Sequence, residues 1–303
     1  YTEDMGLKYY DGTVTVKAAV SDINEDLEDL RIRVTKDAPG QEAVTYEYTP
    51  TSEREFTYSD EADYTVSFIA VDKANNSSTV RTARFNIDKT APELTAEIIG
   101  GTSGKQNNYY NTDVVVRLTC TDNNFNADAM SVTDNGAPIE IDWTANGIVY
   151  YKDIVISAEG LHNIVISGAD KYGTSGTSKQ VSFVIDKSAP SVALLINGGT
   201  IYNESMGTLN MMNAININVS VSDSNDDLED LRVQVIKTVP DTDTTTTEFM
   251  PTSSRVLTFS EEADYIINIY AVDLANNQSV VRTISFRIDT TAPTLTISGA
   301  NGG

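Results

Sequence analysis

Apolar residues occupy every second position in several short stretches of the chain. Side chains of a β-strand point alternately to its two faces, so this period of two is typical of strands with one buried face. Gly, Asn, Asp and Pro separate the stretches, and no sustained helical period interrupts them. The pattern predicts short antiparallel strands joined by turns. The clearest sets are Tyr64, Val66, Phe68 and Ala70; Val114, Val116, Leu118 and Cys120; and Ile215, Ile217, Val219 and Val221.

The same punctuation recurs three times along the chain. An Ile-Asp-Lys/Thr-Thr/Ser-Ala-Pro motif places aspartates at 88, 186 and 289, spacings of 98 and 103 residues. We expect Ig-like domains at 1–88, 89–186 and 187–289, because self-similarity at a fixed period marks a repeat architecture. Residues 290–303 parallel the opening of the second unit and are expected to start a further repeat. The chain begins at Tyr1 without Met or a signal peptide, so we expect it to be a piece of a larger protein.

About seven short strands in one hundred residues are the number found in an immunoglobulin-like β-sandwich. We therefore expect an all-β chain of three tandem sandwiches, and the short Pro-containing junctions favour an elongated array. Tyr64 and Tyr265 precede the penultimate strand of their repeats, where such sandwiches carry a tyrosine corner. His162 occupies the equivalent position in the middle repeat, so we interpret it as a substitute for this tyrosine.

Charge and composition exclude several classes of function. The 303 residues contain 21 Lys plus Arg and 44 Asp plus Glu, a formal charge of −23, which disfavours nucleic-acid binding. No apolar run reaches the roughly 18 to 20 residues of a membrane helix. The single Cys120 permits no internal disulfide, and we expect it to be a buried small hydrophobe. With one histidine and no Walker or G-x-S-x-G motif, we expect no enzymatic activity.

Three motifs together resemble the bacterial immunoglobulin-like repeats: the junction motif, the Ala-Val-Asp-x-Ala-Asn-Asn loops after Ala70 and Ala271, and the opening Tyr109 to Val114. The resemblance covers essentially the whole chain. It implies an extracellular or cell-surface location in a large surface protein or adhesin, where such domains form stalks. The implied partners are neighbouring repeats of the same monomeric chain and a possible host or cell-wall glycan or protein. Some members bind Ca²⁺ at the joints between domains.

Six aspartates form the candidate metal sites. In an Ig-like sandwich, two loops lie at the end where the chain enters, next to the last strand of the preceding domain. Carboxylates crowded together repel one another, and a hard dication with oxygen ligands relieves that repulsion. The alternative is that these aspartates cap turns through their own backbone. The expected inter-domain Ca²⁺ ligands are Asp88, Asp122 and Asp170 at the first joint, and Asp186, Asp223 and Asp273 at the second.

Two functions remain open from the sequence. The first is a non-catalytic stalk or spacer that presents a distal adhesive or enzymatic domain. The alternative is a glycan- or protein-binding adhesin segment, because sandwiches often bind sugars on exposed aromatic rings. Trp143 and the pair Tyr150/Tyr151 are candidates for such a surface, although we expect Trp143 to be a part-buried edge residue. Tyr9/Tyr10 and Tyr109/Tyr110 recur at one place in two repeats, which suggests packing near the joint.

Overall fold

The structure is a computed structural model of the 303-residue chain. It describes residues 7–24, 31–37, 44–48, 53–197, 200–201, 204–225, 232–238, 242–249 and 254–299. Within these ranges the chain is almost entirely β-strand and turn, with 3-10 turns at Ala127–Ala129 and Glu204–Met206. None of the helical segments described is long or apolar enough to cross a lipid bilayer.

The first repeat forms a five-stranded and a two-stranded sheet. The strand order is β1-β7-β6-β3-β4 in the first and β2-β5 in the second. The strands are β1 Lys8–Tyr10, β2 Val14–Ala19, β3 Arg31–Asp37, β4 Val44–Tyr48, β5 Glu53–Tyr58, β6 Ala62–Val71 and β7 Arg81–Ile87.

The middle repeat contains a four-stranded sheet, β13-β14-β10-β8, and a five-stranded sheet, β12-β11-β15-β16-β9. The strands are β8 Glu93–Gly100, β9 Tyr109–Tyr110, β10 Val114–Thr121, β11 Ser131–Asp134, β12 Ala137–Pro138, β13 Thr144–Asn146, β14 Val149–Ile156, β15 Gly160–Ser167 and β16 Lys179–Ile185. The β11–β12 turn contains Asn135 and Gly136 at φ 50° and 83°, the left-handed conformation that a two-residue hairpin turn requires.

The third repeat has the sheets β18-β17-β20-β23 and β19-β25-β24-β21-β22, and its five-stranded sheet keeps the strand order of the middle repeat. The strands are β17 Ser191–Ile196, β18 Thr200–Ile201, β19 Leu209–Met211, β20 Ile215–Ser222, β21 Arg232–Thr238, β22 Thr245–Phe249, β23 Ser254–Phe259, β24 Ala263–Val272 and β25 Arg282–Ile288. The two later repeats exceed the expected count of about seven because the structure adds strands of two or three residues.

The chain divides into two compact units. Unit 1 contains Tyr1–Glu97, Arg117–Ile154 and Asn163–Val181, and unit 2 contains Ile98–Val116, Val155–His162 and Ser182–Gly303. All the residues of the first aspartate trio belong to unit 1, and those of the second trio belong to unit 2. Each trio therefore lies within one unit.

The predicted alternation matches the burial of side chains. On β20 the residues at 215, 217, 219 and 221 are buried, and those between them are exposed or half-buried. They belong to a continuous core that includes Ile267, Ile284 and Phe286. Cys120 is fully buried on β10, as expected for a small hydrophobe, and burial raises the pKa of its thiol to about 11. Apolar burial on one face of each strand supplies the main driving force for this fold.

Each repeat closes with a parallel pairing between a short early strand and its last strand. β1 pairs with β7, β9 with β16, and β19 with β25. Tyr9/Tyr10 and Tyr109/Tyr110 lie on β1 and β9, so their recurrence reflects this shared strand. The carbonyls of Tyr10 and Tyr110 accept hydrogen bonds from the amides of Asp88 and Asp186, which holds the start of each junction.

The tyrosine corner is present in all three repeats, with histidine in the middle one. The Tyr64 hydroxyl donates to the carbonyl of Asp60 at 2.9 Å, and Tyr265 donates to Glu261 at 3.0 Å. In the middle repeat the His162 Nε2 lies 2.9 Å from the Ala158 carbonyl, four residues upstream as in the tyrosine cases. Burial raises the pKa of both tyrosine hydroxyls, which keeps them protonated as donors. The prediction for His162 is confirmed.

Candidate metal sites at the repeat junctions

Both aspartate trios lie where a strand gives way to a loop. Asp88 follows β7 and Asp186 follows β16, the last strands of the first two repeats. The other four follow the second long strand or the penultimate strand of the next repeat. They are Asp122 after β10, Asp170 after β15, Asp223 after β20 and Asp273 after β24. The chain thus delivers one carboxylate from the preceding repeat and two from the following repeat to each junction.

At the second junction the three carboxylates converge. Asp186, Asp223 and Asp273 each offer an oxygen, and these oxygens lie within 4.8 Å of one another. Asp186 has no exposed surface and Asp273 is 1% exposed. The Asp186 Oδ1 accepts two hydrogen bonds, from the Asn225 amide at 2.7 Å and the Ser188 backbone at 3.0 Å. Its Oδ2 is buried and has no hydrogen-bond partner.

The electrostatics of this trio disfavour a bare carboxylate. Burial raises the pKa of Asp186, and the negative charges of Asp223 and Glu159 raise it further. The hydrogen bonds from Asn225 and Ser188 act in the opposite direction without offsetting the shift. Without a cation the site holds like charges in a water-poor space, which costs free energy.

At the first junction the three carboxylates are buried, but among the described residues they do not bring three oxygens within 4.8 Å of one another. Asp88 is 8% exposed, Asp122 6% and Asp170 2%. Burial raises the pKa of Asp122, and the charges of Asp170 and Asp88 add to the increase. The Asn124 amide donates to the Asp88 Oδ2, while the Thr90 backbone donates to its Oδ1 at 2.9 Å. Both oxygens of Asp88 therefore already have donors, and the Oδ2 of Asp170 is the buried oxygen without one.

The aspartates also form turns, as the alternative interpretation expected. In Asp88, Asp122, Asp170, Asp186 and Asp223 one carboxylate oxygen accepts the backbone N–H two residues later, as with Asp186 and Ser188 at 3.0 Å. Asp170 and Asp273 accept the backbone N–H four residues on. Turn formation leaves the Oδ2 of Asp170 and of Asp186 without a donor, whereas both oxygens of Asp273 accept N–H groups of Asn277.

Asp22 and Asp72 lie at the matching positions of the first repeat and also accept N–H groups from residues shortly after them. Asp22 accepts the Asn24 N–H at 2.7 Å, and Asp72 accepts the backbone and side-chain N–H groups of Asn76 at 2.6 and 2.7 Å. The acidic stretches after Asp22 and Asp223 continue through residues 25–30 and 226–231, which lie outside the described residues.

A recurring glutamate, which was not predicted from the sequence, lies beside the end of each repeat. Glu61, Glu159 and Glu262 each lie 27 residues before a junction aspartate. Glu159 accepts the Lys187 backbone N–H at 2.8 Å and the Ser188 hydroxyl at 3.2 and 3.3 Å. Glu61 binds Lys89 and Thr90 in the same way, and Glu262 binds Thr290 and Thr291. We call these three residues the glutamate clasp. Their constant distance of 27 residues from the junction aspartate could have identified them in the sequence, because it repeats with the junction motif.

The candidate aromatic surface lies in the middle repeat. Phe125 stacks on Tyr150 with ring centroids 3.9 Å apart, and Trp143 meets Phe125 edge-on at 5.6 Å. All three are half-buried, so the expectation of a part-buried Trp143 is confirmed. Tyr9 instead contacts Tyr172 beside Asp170, with centroids 4.9 Å apart, which fits packing near the junction.

Fold and site together define a chain of tandem immunoglobulin-like β-sandwiches with acidic junctions. No known protein family matches the sequence, and no curated protein matches it either. Among solved structures, the fibronectin(III)-like modules of Clostridium thermocellum CbhA are 14% identical, with 68% of this chain and all of that chain covered and a TM-score of 0.32.

Two further structures show the same type of distant likeness. The ICAM-5 D1–D4 ectodomain fragment is 14% identical over 93% of this chain and 73% of that chain, with a TM-score of 0.42. The chicken CNTN1 FN1–FN3 domains are 13% identical over 92% and 95% of the two chains, with a TM-score of 0.26. Similarity this distant concerns the fold alone and carries no information on ligands.

Proposed function

We propose that this chain is a non-catalytic spacer segment of a bacterial cell-surface or secreted protein, with Ca²⁺ fixing the junctions between its repeats. The proposal takes the repeats to be bacterial Ig-like domains at 1–88, 89–186 and 187–289, with a further repeat from 290. The single observation that carries it is the second junction. There, oxygens of Asp186, Asp223 and Asp273 lie within 4.8 Å of one another, and the buried Oδ2 of Asp186 has no hydrogen-bond partner.

The donor chemistry fits calcium better than other common metals. Every ligand at the second junction is a carboxylate oxygen, whereas zinc and copper sites favour sulfur and imidazole. Calcium–oxygen distances are about 2.3 to 2.6 Å, so two ligands on opposite sides of the ion lie roughly 5 Å apart. The observed limit of 4.8 Å between the three oxygens accommodates such an ion. The positive charge would also relieve the repulsion among Asp186, Asp223 and Asp273.

For the first junction we propose a weaker site. The Oδ2 of Asp170 has no donor, but both oxygens of Asp88 already accept N–H donors, and among the described residues this trio does not bring three oxygens within 4.8 Å of one another. Binding Ca²⁺ through Asp88 would require the Asn124 amide to move, and the lost hydrogen bond would oppose binding. We expect Asp22, Asp72 and Asp289, which contribute to no trio among the described residues, to bind Ca²⁺ weakly or not at all.

The spacer role follows from how the junctions limit bending between repeats. A cation held by carboxylates from consecutive repeats ties the end of one repeat to the loops of the next. The glutamate clasp holds the same exit strand without metal, through backbone and hydroxyl donors. A series of such junctions would resist bending, which is what a spacer that holds a distal domain away from a surface requires.

Calorimetric titration of the metal-free chain with Ca²⁺ tests the proposal, with melting curves in Ca²⁺ and in chelator. Ligand bound only to the native state stabilises it by about 2.7 kcal/mol at a hundredfold excess over Kd. We expect saturable binding that disappears in Asp186→Asn/Asp223→Asn/Asp273→Asn. The matched control Asp72→Asn/Asp289→Asn should bind as the wild type does. No binding heat and unchanged melting at millimolar Ca²⁺ would leave the aspartates as turn formers.

A second candidate function is an adhesive segment that binds a glycan through the middle repeat. The observation that favours it is the half-buried cluster of Phe125, Trp143 and Tyr150, because aromatic rings stack on sugar faces. A glycan array of the wild type and of Trp143→Ala separates the two functions. A spacer should bind no glycan reproducibly, whereas an adhesive segment should bind one class and lose it with Trp143.

A further inference from the structure

An acidic cavity lies beside the first junction, within unit 1. Its volume is about 620 Å³, and it is open to solvent on one side. No Lys or Arg side chain is among the described residues that line it. The carboxylates that line it are Glu61, Asp63, Asp88, Glu93 and Asp122.

Neutral donors satisfy two of these carboxylates, Glu61 and Asp88. Glu61 accepts the Lys89 backbone N–H and the Thr90 hydroxyl, and Asp88 accepts the Thr90 backbone and the Asn124 amide. The one lysine in this stretch, Lys89, donates its ammonium to the Ser59 carbonyl at 2.6 Å and does not line the cavity. Hydrogen bonds are thus supplied, but the charge of the cavity is not balanced from within its walls.

A second feature of the wall calls for a donor. Asn86 is 9% exposed and lines the cavity, and its side-chain N–H donates to Asp63. This hydrogen bond fixes the amide, so its carbonyl Oδ1 is the remaining polar atom, and it is buried without a hydrogen-bond partner. A buried acceptor without a donor is unfavourable, and a ligand carrying N–H groups would supply the missing hydrogen bond.

The dimensions favour an extended cation over a bare metal ion. Among the described acidic residues, no three of these cavity carboxylates bring oxygens within 4.8 Å of one another, unlike the second junction. A water molecule occupies about 30 Å³ of liquid, so 620 Å³ is far larger than an ion with a partial hydration shell. Separated carboxylates and a buried carbonyl match a chain with several spaced N–H donors.

We propose that this cavity binds an extended alkylammonium ligand, either a free polyamine or the lysine side chains of a partner segment. The charged nitrogens would lie against the carboxylates and the alkyl stem against Ala62, Ile87 and Ile148 in the same wall. Charge complementarity with a chain of formal charge −23 would also speed the encounter at low salt.

Titration calorimetry with spermidine, in chelator and at low salt, tests this on the whole chain. We expect one saturable step whose Kd rises at least tenfold in Asp63→Asn/Glu93→Gln. The matched control Asp142→Asn/Asp243→Asn removes the same charge from exposed residues outside the cavity and should change Kd less than twofold. Melting curves of both variants verify that they fold. The triple variant of the second junction should bind spermidine normally, so this test is independent of the calcium site at the second junction.

Two further probes decide the nature of the ligand. Hexaamminecobalt(III) carries the same charge as spermidine in compact form; equal affinity for both would show general counterion attraction and overturn the proposal. Equal weakening in the cavity variant and its control, or no saturable step, would overturn it as well. A blocked Lys-Gly-Lys peptide that binds more tightly than spermidine identifies a partner segment, and the reverse order identifies a free polyamine.

Discussion

The two junctions have aspartates at three equivalent positions. They differ in how the first of these, Asp88 or Asp186, accepts its hydrogen bonds. At the first, the Asn124 amide donates to the Asp88 Oδ2 and the Thr90 backbone to the Oδ1. At the second, the equivalent Asn225 and Ser188 both donate to the Asp186 Oδ1, which leaves the Oδ2 without a partner. Identical residue types can thus give a carboxylate that is satisfied or one that is available.

The loop after the penultimate strand differs as well. The second junction carries Asn276 and Asn277 where the first carries Gly173 and Thr174. Gly173 and Asn276 both adopt positive φ, at 92° and 70°, so the backbone turn is kept. The side chain four residues after the aspartate changes the chemistry. The Asn277 amide donates to the Asp273 Oδ2 at 2.7 Å and to the Asp186 carbonyl at 2.9 Å.

The largest effect should come from removing the available carboxylate. Asp186→Asn replaces an acidic oxygen with a neutral amide, so the rise in Tm on adding Ca²⁺ should disappear. That rise should be about 10 °C, given about 2.7 kcal/mol at a hundredfold excess over Kd. The paired variant Asp88→Asn should retain most of it. Scanning calorimetry measures the rise in Tm. A rise that falls equally in Asp186→Asn and Asp88→Asn would contradict the difference between the two junctions.

The next effect concerns the amide that blocks the first junction. Asn124→Ala removes a hydrogen bond to a charged group, so the metal-free chain should lose about 1.5 to 3 kcal/mol of stability. It also frees the Asp88 Oδ2, so Ca²⁺ should restore more stability to this variant than to the wild type.

Asn225→Ala is the matched change at the second junction. It removes a donor to the Asp186 Oδ1 while the Oδ2 is already without a partner, so Ca²⁺ should add no more stability than in the wild type. Urea unfolding with and without Ca²⁺ measures both variants. An equal gain in Ca²⁺ response in the two would mean that the blocking amide does not distinguish the junctions.

A smaller effect should follow from exchanging the loop side chain. Thr174→Asn places an amide where Asn277 lies in the other junction, within reach of the Asp170 Oδ2 that now has no donor. We expect about 1 kcal/mol of added stability. The reverse change, Asn277→Thr, should cost a similar amount because Asp273 and the Asp186 carbonyl both lose a donor. Denaturant midpoints report both, and destabilisation by Thr174→Asn would contradict the assignment.

The smallest effect is on the thiol beside the first junction. Burial raises the pKa of Cys120 to about 11, with the Asp122 charge as a further cause. Since the folded thiol titrates far above pH 8, it is almost wholly protonated there and should resist alkylation by iodoacetamide. Asp122→Asn removes the smaller cause, so the pKa should fall and alkylation should speed up less than tenfold. Rapid labelling of the native wild type would show that Cys120 is accessible and overturn this.

The repeats, the long alternating strands and the strand end at which each junction aspartate lies could be predicted from the sequence. The reason is that a period of two along β20 and a repeated junction motif are local patterns that survive any arrangement of neighbours. His162 could also be identified as the corner residue, since a hydrogen bond to a carbonyl four residues upstream is a short-range contact.

Which oxygen of Asp88 and of Asp186 accepts the asparagine amide of the next repeat depends on tertiary contacts. The Asn124 and Asn225 amides approach from a different repeat, about forty residues from the aspartates they bind, and their choice of oxygen depends on the angle at which two loops meet. The glutamate clasp is likewise a contact between segments nearly thirty residues apart. Whether a hydrogen bond forms depends on its angle and on a few tenths of an ångström in the donor–acceptor distance. A sequence pattern specifies only the strand end at which a side chain lies.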